Sequence, residues 1–360
     1  MYSNPSGLID YSPSTLGRSI EVLVRAARSA PLMEIAADRD GKEFRKLGIL
    51  RLDKIDSSYG DRLSGNKLFK LMPLIDCLRT SGVNSVASFG GPWSNHLWSL
   101  SAMTRQHGMR AQGLINGEMK SQLTPTLYEA RQKGMLLTYL SRRDFKRLMF
   151  TEGWNALPEH LPNSYVIPIG GASNLGVLGA IVLGQVLQQR FPLHEWRCAA
   201  GSAVTSVGLA IARAGMSPSK AGRVVALTVA DSVEVAAARA ERTAQRFFKW
   251  LLDEPAIAEI LGLSASAEPG AVMQALTFED GRSLSVLSGG TRTLAQSEPS
   301  AIMGELIGAI ELDPVYTGPL IAHFQQQWSA GLVDARDTLL IHTGGAQGLR
   351  RFGDESFTSV

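Results

Sequence analysis

One lysine near the start of an amphipathic segment has the setting of a reactive amine. Lys67 follows Gly65 and Asn66 and precedes a run with apolar residues at helical spacing. A lysine near the positive N-terminus of a helix, and partly removed from water, has a lowered pKa. An amine of this kind attacks carbonyl carbons, which is the property a Schiff-base lysine needs. The alternative is an ordinary surface lysine at a helix start.

The loop 201–205, Gly-Ser-Ala-Val-Thr, has the composition of an anion-binding site. It joins a predicted strand to a predicted helix and carries the hydroxyls of Ser202 and Thr205. Backbone N–H groups at a helix start, together with hydroxyls, bind phosphate. A plain strand-to-helix turn with a capping hydroxyl explains the same residues equally well. On these residues alone both interpretations stay open.

Two further segments place polar and aromatic groups beside glycine and proline. Trp93, Ser94, Asn95 and His96 follow Gly-Gly-Pro, and Tyr316 lies in the segment Asp-Pro-Val-Tyr-Thr-Gly. Simpler roles are available for three of them. Ser94 would cap a helix, His96 would be a half-exposed helical residue, and Tyr316 would be buried with a satisfied hydroxyl.

Apolar runs of strand length alternate with helical segments, a pattern typical of βαβ units and a parallel sheet. Strands are predicted over 85–89, 110–115, 135–140, 165–169, 197–200, 223–229 and 338–341, and helices over 67–79, 94–106, 126–133, 175–189 and 233–261. Segment 264–294 has mixed signals and carries no assignment. Ligands of open parallel sheets bind at the carboxyl ends of strands. Four strand ends are followed by small polar loops that would line one cleft: 90–94, 170–174, 201–205 and 343–345.

Composition excludes several classes of protein. The 360 residues suggest two domains or one large α/β unit, and 44% are hydrophobic. The net charge of +3 is too weak to argue for nucleic acid or a polybasic membrane contact. Cys77 and Cys198 give neither a disulfide framework nor metal-ligand spacing. With no long apolar span and no secretory leader, we expect a soluble, cytoplasmic protein without a metal, a membrane or a nucleic acid partner.

Six short blocks follow one another along the chain, and their order and spacing are more specific than any one of them. They are Ser-Gly-Asn-Lys (64–67), Gly-Gly-Pro-Trp-Ser-Asn-His (90–96), Ile-Pro-Ile-Gly-Gly-Ala-Ser-Asn (167–174), Gly-Ser-Ala-Val-Thr (201–205), Asp-Pro-Val-Tyr-Thr-Gly (313–318) and His-Thr-Gly-Gly (342–345). In these blocks the chain resembles the pyridoxal 5'-phosphate enzymes that include 1-aminocyclopropane-1-carboxylate (ACC) deaminase and D-cysteine desulfhydrase. The resemblance runs from about residue 30 to residue 345.

The resemblance implies a fold and a domain organisation. The fold is that of the fold-type-II, tryptophan-synthase-β-like enzymes: α/β, with two open, twisted, mainly parallel sheets flanked by helices. A large domain formed by 1–67 and 165–360 would lie beside a small domain formed by 68–164, with the cofactor in the cleft. The resemblance also implies a homodimer and a small amino acid as substrate.

The resemblance further implies a role for each matching residue. Lys67 would hold the cofactor as a Schiff base, Asn95 would bind its 3-oxygen, and the loop 201–205 would bind its phosphate. The predicted cofactor contacts are Lys67, Asn95, Gly170, Gly201, Ser202, Ala203, Val204, Thr205, Thr317 and Thr343. The predicted substrate contacts are Trp93, Ser94, Asn95, His96 and Tyr316, and the predicted catalytic residues are Lys67, Ser94 and Tyr316.

Two positions favour the desulfhydrase side of this family. ACC deaminases carry Glu after the Pro-Val-Tyr tyrosine and Leu before the last Gly-Gly, where this chain has Thr317 and Thr343. A carboxylate beside the pyridine nitrogen keeps that nitrogen protonated, whereas a hydroxyl leaves it neutral. A neutral ring still supports loss of the α-proton and of a good β-leaving group. We therefore predict a lyase or deaminase that gives a 2-oxo acid, ammonia and a leaving group such as sulfide.

The chain also departs from the family pattern, which leaves other functions open. Phe69 replaces an arginine, Ala203 and Val204 replace two glycines, and Pro92-Trp93 is bulkier than usual. No counterpart of a second active-site tyrosine occurs between residues 280 and 296. The alternatives are an ACC deaminase-like or other enzyme of this fold with a different amino acid substrate, and a catalytically impaired homologue that binds the cofactor or an amino acid.

Overall fold

The computed structural model is an α/β structure with two main sheets flanked by helices. The residues it describes are 9–37, 45–55, 65–118, 123–150, 164–214, 222–263, 268–288, 291–294, 310, 312–313, 315–335 and 337–345. The strands are β1 (Leu32–Ala37), β2 (Arg45–Arg51), β3 (Ser85–Gly90), β4 (Arg110–Asn116), β5 (Met135–Leu140), β6 (Tyr165–Ile167), β7 (Glu195–Ala200), β8 (Val224–Thr228), β9 (Leu276–Asp280), β10 (Ser285–Ser288), β11 (Thr291–Leu294) and β12 (Thr338–His342). The helices are α1 (Pro13–Ser29), α2 (Asn66–Thr80), α3 (Asn95–Gln106), α4 (Pro125–Gln132), α5 (Arg142–Phe150), α6 (Asn174–Arg190), α7 (Val204–Ala214), α8 (Val233–Asp253), α9 (Pro255–Ile260), α10 (Pro269–Ala275) and α11 (Thr317–Ser329).

The larger sheet has six strands in the order β1-β2-β12-β7-β8-β9, and the smaller has four in the order β5-β4-β3-β6. All pairs in both sheets are parallel except β1 with β2. Strands β10 and β11 form a separate antiparallel pair. The predicted α/β class with mainly parallel sheets is therefore confirmed. Among the described residues, no helix is both long and apolar enough to cross a membrane.

Local chemistry explains where the elements differ from the sequence prediction. The predicted helix 233–261 is two helices, because Pro255 has no N–H to continue α8 and instead begins α9. The predicted strand 165–169 ends at Ile167, before Pro168 and a short 3-10 turn over Ile169–Gly171. The segment that had no assignment contains α10 and the strands β9 to β11. The predicted division into two domains remains a prediction, although its boundary at residue 165 falls within the smaller sheet, since β6 pairs with β3.

Helix α2, which carries Lys67, packs closely against α6. Pro73 lies inside α2 and cannot donate a hydrogen bond to the carbonyl of Phe69, four residues earlier. That carbonyl oxygen instead lies against Gly179 of α6, where an added Cβ would overlap it. Phe69 itself is a buried core residue. The aromatic residue at this departure from the family pattern therefore packs in the core.

The last strand of the chain places the C-terminal loop beside the start of α2. Strand β12 lies between β2 and β7, so residues 343–345 emerge at the centre of the larger sheet. The N–H of Asn66 donates to the carbonyl of Thr343 at 3.0 Å. Gly65 has a φ of +83°, and a Cβ there would lie 2.5 Å from the same carbonyl. Only glycine meets both conditions without strain.

The close contact between α2 and α6 predicts a large effect of one methyl group. We expect Gly179→Ala to lower the free energy of unfolding by roughly 3 kcal/mol, because backbone must move to admit the new Cβ. Gly17→Ala on α1 is the matched control. An added Cβ has no neighbour within 4 Å there, so better helix propensity should stabilise the protein by up to about 1 kcal/mol. Urea unfolding measures both, and similar small effects would contradict the packing argument.

Candidate functional site

A cavity of about 390 Å³ lies at the carboxyl ends of strands from both sheets. The segments that follow β3, β6, β7 and β12 all line it. The predicted site residues that line it are Lys67, Trp93, Ser94, Asn95, His96, Gly170, Gly201, Ser202, Ala203, Thr205, Tyr316 and Thr343. Two predicted residues, Val204 and Thr317, do not line it; both are buried beside residues that do.

Lys67 is in the first turn of α2 and lies in the cavity wall. Its Nζ donates to Oδ1 of Asn66 at 3.1 Å, and Nδ2 of Asn66 donates to Oγ1 of Thr205 at 3.0 Å. Asn66 therefore ties the lysine to the loop 201–205. Burial lowers the pKa of Lys67 to about 8, although the nearby carboxylate of Asp313 opposes this shift. Lys67 is not an ordinary surface lysine.

A second lysine, for which the sequence predicted no role, lies in the same cavity. Lys70 is only 4% exposed, and its Nζ donates to Oγ of Ser202 at 3.2 Å. Its pKa is well below the ordinary value, first because of burial and second because of repulsion from Lys67. The available signal was its position three residues after Lys67, which places both side chains on one face of a helix.

The loop after β7 has a strained backbone at one residue. Ala203 has a φ of +61°, in the left-handed region that glycine favours. Its carbonyl accepts a hydrogen bond from Oγ of Ser206 at 2.9 Å, and the carbonyl of Gly201 accepts one from Nη1 of Arg239 at 2.6 Å. At Gly201 an added Cβ would lie 3.3 Å from the ring of Tyr316. The glycine thus gives the tyrosine room beside the loop.

The N-terminus of α3 presents its first residues to the cavity. Oγ of Ser94 caps the helix by accepting the N–H of Leu97 at 3.2 Å, as its simpler interpretation predicted. A hydroxyl that accepts in this way still has its own hydrogen to donate to a ligand. Trp93 lies in the preceding turn, closed by the N–H of Ser94 bonding the carbonyl of Gly91 at 3.1 Å.

His96 is buried, so its simpler interpretation as a half-exposed helical residue is wrong. Its Nε2 lies 2.7 Å from Oγ of Ser88, and Ser88 donates its hydrogen to the carbonyl of Ile167 at 2.8 Å. Nε2 of His96 must therefore carry the hydrogen it shares with Ser88. Burial, with repulsion from Lys67 and Lys70, lowers the pKa of His96 to about 3. The imidazole is neutral at physiological pH.

Asp313 is another residue of the cavity wall for which the sequence predicted no role. It is 2% exposed, and Oδ2 accepts from Nδ2 of Asn95 at 3.0 Å. Oδ1 accepts the backbone N–H groups of Val315 at 2.8 Å and Tyr316 at 2.7 Å. Burial raises the pKa of Asp313, and the hydrogen bonds from Asn95 and from the two backbone groups oppose that rise. The carboxylate thus organises the segment that carries Tyr316.

The charges and helix ends around the cavity favour an anionic ligand. Helices α2, α3, α7 and α11 all begin at its wall or at the residue next to it. Helix N-termini carry partial positive charge and attract phosphates and carboxylates. Lys67 and Lys70 add two amines, and Asp313 is the only carboxylate among the described residues of the wall. A ligand that has both a phosphate and a carbonyl carbon finds complementary groups here.

The segment Pro92-Trp93, which is bulkier than in the family pattern, forms part of the cavity wall. Oγ1 of Thr124 donates to the carbonyl of Pro92 and so ties this turn to the start of α4. Trp93 lines the cavity, whereas Trp98 does not: its Nε1 donates to Glu129 at 2.7 Å. Trp93 is therefore placed to shape the pocket, and Trp98 is not.

Solved structures share this fold, although no protein-family model matches the chain. An ACC deaminase homologue is 22% identical, covers 92% of this chain and 95% of its own, and has a TM-score of 0.67. A hydrogen sulfide-producing enzyme from Fusobacterium nucleatum is 11% identical, with coverage of 95% and 99% and a TM-score of 0.53. A pyridoxal 5'-phosphate-dependent aspartate racemase is 10% identical, with coverage of 94% and 97% and a TM-score of 0.57. These similarities confirm the fold that the six blocks implied.

The positive φ of Ala203 predicts an unusual response to glycine. Ala→Gly substitutions at buried positions lose a methyl group and gain backbone entropy in the unfolded state, and both effects destabilise. At Ala203 the change also removes about 1–2 kcal/mol of left-handed strain. We therefore expect Ala203→Gly to be less destabilising than Ala200→Gly, on β7, by about this amount in urea unfolding. Equal losses would mean that Ala203 is not strained.

Proposed function

We propose that the chain is a pyridoxal 5'-phosphate-dependent enzyme that removes a β-substituent and the amino group from a small amino acid. The products are a 2-oxo acid, ammonia and the leaving group. The observation that carries this proposal is the position of Lys67, an amine with a pKa near 8, in one cavity with the loop 201–205. A cofactor with an aldehyde and a phosphate group needs an amine for the aldehyde and an anion-binding loop for the phosphate.

The residues of the cavity fit this cofactor. Lys67 is the amine for its aldehyde carbon. Lys70 donates a hydrogen bond to Ser202, which belongs to the loop that would hold its phosphate. Asn95 is the group for the 3-oxygen of the ring: one of its Nδ2 hydrogens bonds Asp313, and the other remains. Oδ1 of Asn95 is buried without a partner in the described residues, which is consistent with a ligand contact.

When bound, pyridoxal 5'-phosphate withdraws electrons from the α-carbon of an attached amino acid. Lys67 is the base for the α-proton, because its lowered pKa leaves a usable fraction of neutral amine near physiological pH. The hydroxyl of Ser94 and the N-terminus of α3 would hold the substrate carboxylate. Tyr316 lies against Gly201 and would position the substrate or move a proton at its hydroxyl.

We further propose D-cysteine, or a related amino acid with a good β-leaving group, as the substrate. For D-cysteine the balanced reaction takes one water and gives pyruvate, ammonia and hydrogen sulfide. The absence of a glutamate at position 317 supports this choice, since no carboxylate there would keep the ring nitrogen protonated; Thr317 itself is buried outside the cavity wall. Oγ1 of Thr317 is buried without a hydrogen-bond partner among the described residues. Thr343 lines the cavity.

The structure bears on the alternative of a catalytically impaired homologue. Phe69 and Val204 were the residues that favoured it, and both are core residues outside the cavity wall. Neither takes the place of a group in the wall. The residues that the proposed chemistry needs, Lys67, Ser94 and Tyr316, are all present there. Catalysis is therefore the better-supported proposal, and an ACC deaminase-like or other substrate is the main alternative within it.

The role of Lys67 can be tested by trapping the cofactor. We expect the protein with pyridoxal 5'-phosphate to absorb visible light, and borohydride to fix the cofactor on the peptide that contains Lys67. Lys67→Ala should remove the label and lower kcat by at least about 10²- to 10⁴-fold, the usual effect of losing a general base. Mass spectrometry distinguishes Lys67 from Lys70, three residues away. A label on Lys70, or no binding, would overturn the proposal.

Substrate choice can be tested by comparing two amino acids. We expect sulfide release from D-cysteine to proceed with a higher kcat/KM than ammonia release from ACC, because Thr317 cannot keep the pyridine nitrogen protonated. Thr317→Glu should move the ratio toward ACC. Spectral changes of the bound cofactor across an amino acid panel provide the control for other substrates. A higher rate with ACC in the unmodified protein would contradict the assignment of Thr317 and Thr343.

A further inference from the structure

Asp313 connects parts of the cavity that are far apart in the sequence. Its Oδ2 accepts from Asn95, which begins α3 beside the smaller sheet, 218 residues away. Its Oδ1 accepts the N–H groups of Val315 and Tyr316, next to the start of α11. One buried carboxylate thus holds both the amide of Asn95 and the backbone that carries Tyr316.

This contact selects one of the two orientations of the Asn95 amide. A carboxylate only accepts hydrogen bonds, so Asn95 must turn Nδ2 toward Asp313 and Oδ1 away from it. The neighbouring residues leave the Asn95 side chain little room to change its position. An added Cβ on Gly345 would be 2.7 Å from Nδ2 of Asn95 and would also overlap Oδ2 of Asp313.

The charge of Asp313 also acts on Lys67. Burial alone disfavours the ammonium form of Lys67, and the negative charge of Asp313 stabilises that form. The other titratable side chains in the described wall of the cavity are Lys70 on α2, His96 on α3 and Tyr316 before α11. Lys70 repels an ammonium at Lys67, and His96 is neutral. Cys198 on β7 faces Lys70, and burial raises its thiol pKa to about 12, so it carries no charge.

We propose that Asp313 is a positioning residue that fixes the amide orientation of Asn95 and keeps a compensating negative charge beside Lys67. The role of Asn95 toward the ring oxygen rests on the proposed function, whereas the effect on Lys67 belongs to the protein alone. Asp313 acts through Asn95, Tyr316 and Lys67 and needs no contact with the reacting atoms.

The variant Asp313→Asn tests this role with little change of shape. Its Oδ1 can still accept from Val315 and Tyr316, which preserves the turn. Its Nδ2 would face Nδ2 of Asn95, so the Asn95 amide must reverse or lose the bond. The double variant Asn95→Asp with Asp313→Asn exchanges the two groups and restores both a negative charge and a hydrogen bond. Asn95→Ala is the control that removes the amide and keeps the carboxylate.

The first measurement is the pH dependence of Lys67 labelling in the cofactor-free protein. An amine-reactive reagent labels the neutral form, and peptide mass spectrometry reports Lys67 separately from Lys70. We expect a midpoint near pH 8 for the unmodified protein. In Asp313→Asn the midpoint should fall by about one unit, because the opposite charge is gone. It should recover in the double variant and change little in Asn95→Ala.

The direction of the shift separates positioning from a merely structural role. If Asp313→Asn only loosened the fold, water would enter the cavity and the Lys67 midpoint would rise toward the ordinary lysine value. An upward shift, or no shift, would overturn the proposal. Because no cofactor is present, this result stands even if the proposed enzymatic function is wrong.

The second measurement is the affinity for pyridoxal 5'-phosphate by equilibrium dialysis. Loss of the Asn95 orientation should weaken binding roughly tenfold in Asp313→Asn, the equivalent of one hydrogen bond. The double variant should not regain this loss, because a carboxylate at position 95 has no hydrogen to donate to the ring oxygen. Equal affinity in all variants would contradict the orientation of Asn95, whereas absence of binding to the unmodified protein would contradict the proposed function.

Discussion

The site depends on the insertion of β12 between β2 and β7. This parallel pairing brings the loop 343–345 out at the centre of the larger sheet, where the carbonyl of Thr343 meets the N–H of Asn66. That bond sets the start of α2 and with it the position of Lys67. The tight backbone at Gly65 allows the contact. The position of Lys67 on α2 therefore depends on the strand order of the larger sheet.

Around this framework the cavity must accommodate buried cations. Lys67 and Lys70 lie on the same face of α2, so each makes a positive charge on the other less favourable. The loop at Ser202 and the carboxylate of Asp313 supply the opposing interactions within the described wall. An anionic ligand would reduce the same repulsion. The electrostatics and the packing of the cavity therefore both favour an anionic ligand.

The sequence predicted most of the alternating strands and helices well. It predicted poorly the contacts between residues that are distant in the sequence. Alternating apolar runs with glycine-rich ends located β3, β4, β5 and β12 to within about one residue, because local pattern determines them. The strands β1 and β2 were missed, and their places beside each other and beside β12 come from long-range pairing. The roles of Lys70 and Asp313 were missed because they arise only from partners distant in sequence, such as Ser202 and Asn95. The replacement of two glycines by Ala203 and Val204 was a signal of strain in the sequence, but the positive φ of Ala203 is seen only in the structure.

The placement of β12 also has a consequence for how the protein is made. During synthesis α1, β1, β2 and the whole smaller sheet leave the ribosome long before residues 338–342 exist. Until then β2 has no route into the larger sheet, since β12 separates it from β7. The N-terminal strand pair must wait through nearly the whole translation of the chain. A nascent chain that stops before this strand therefore lacks the carbonyl of Thr343 that bonds Asn66 at the start of α2.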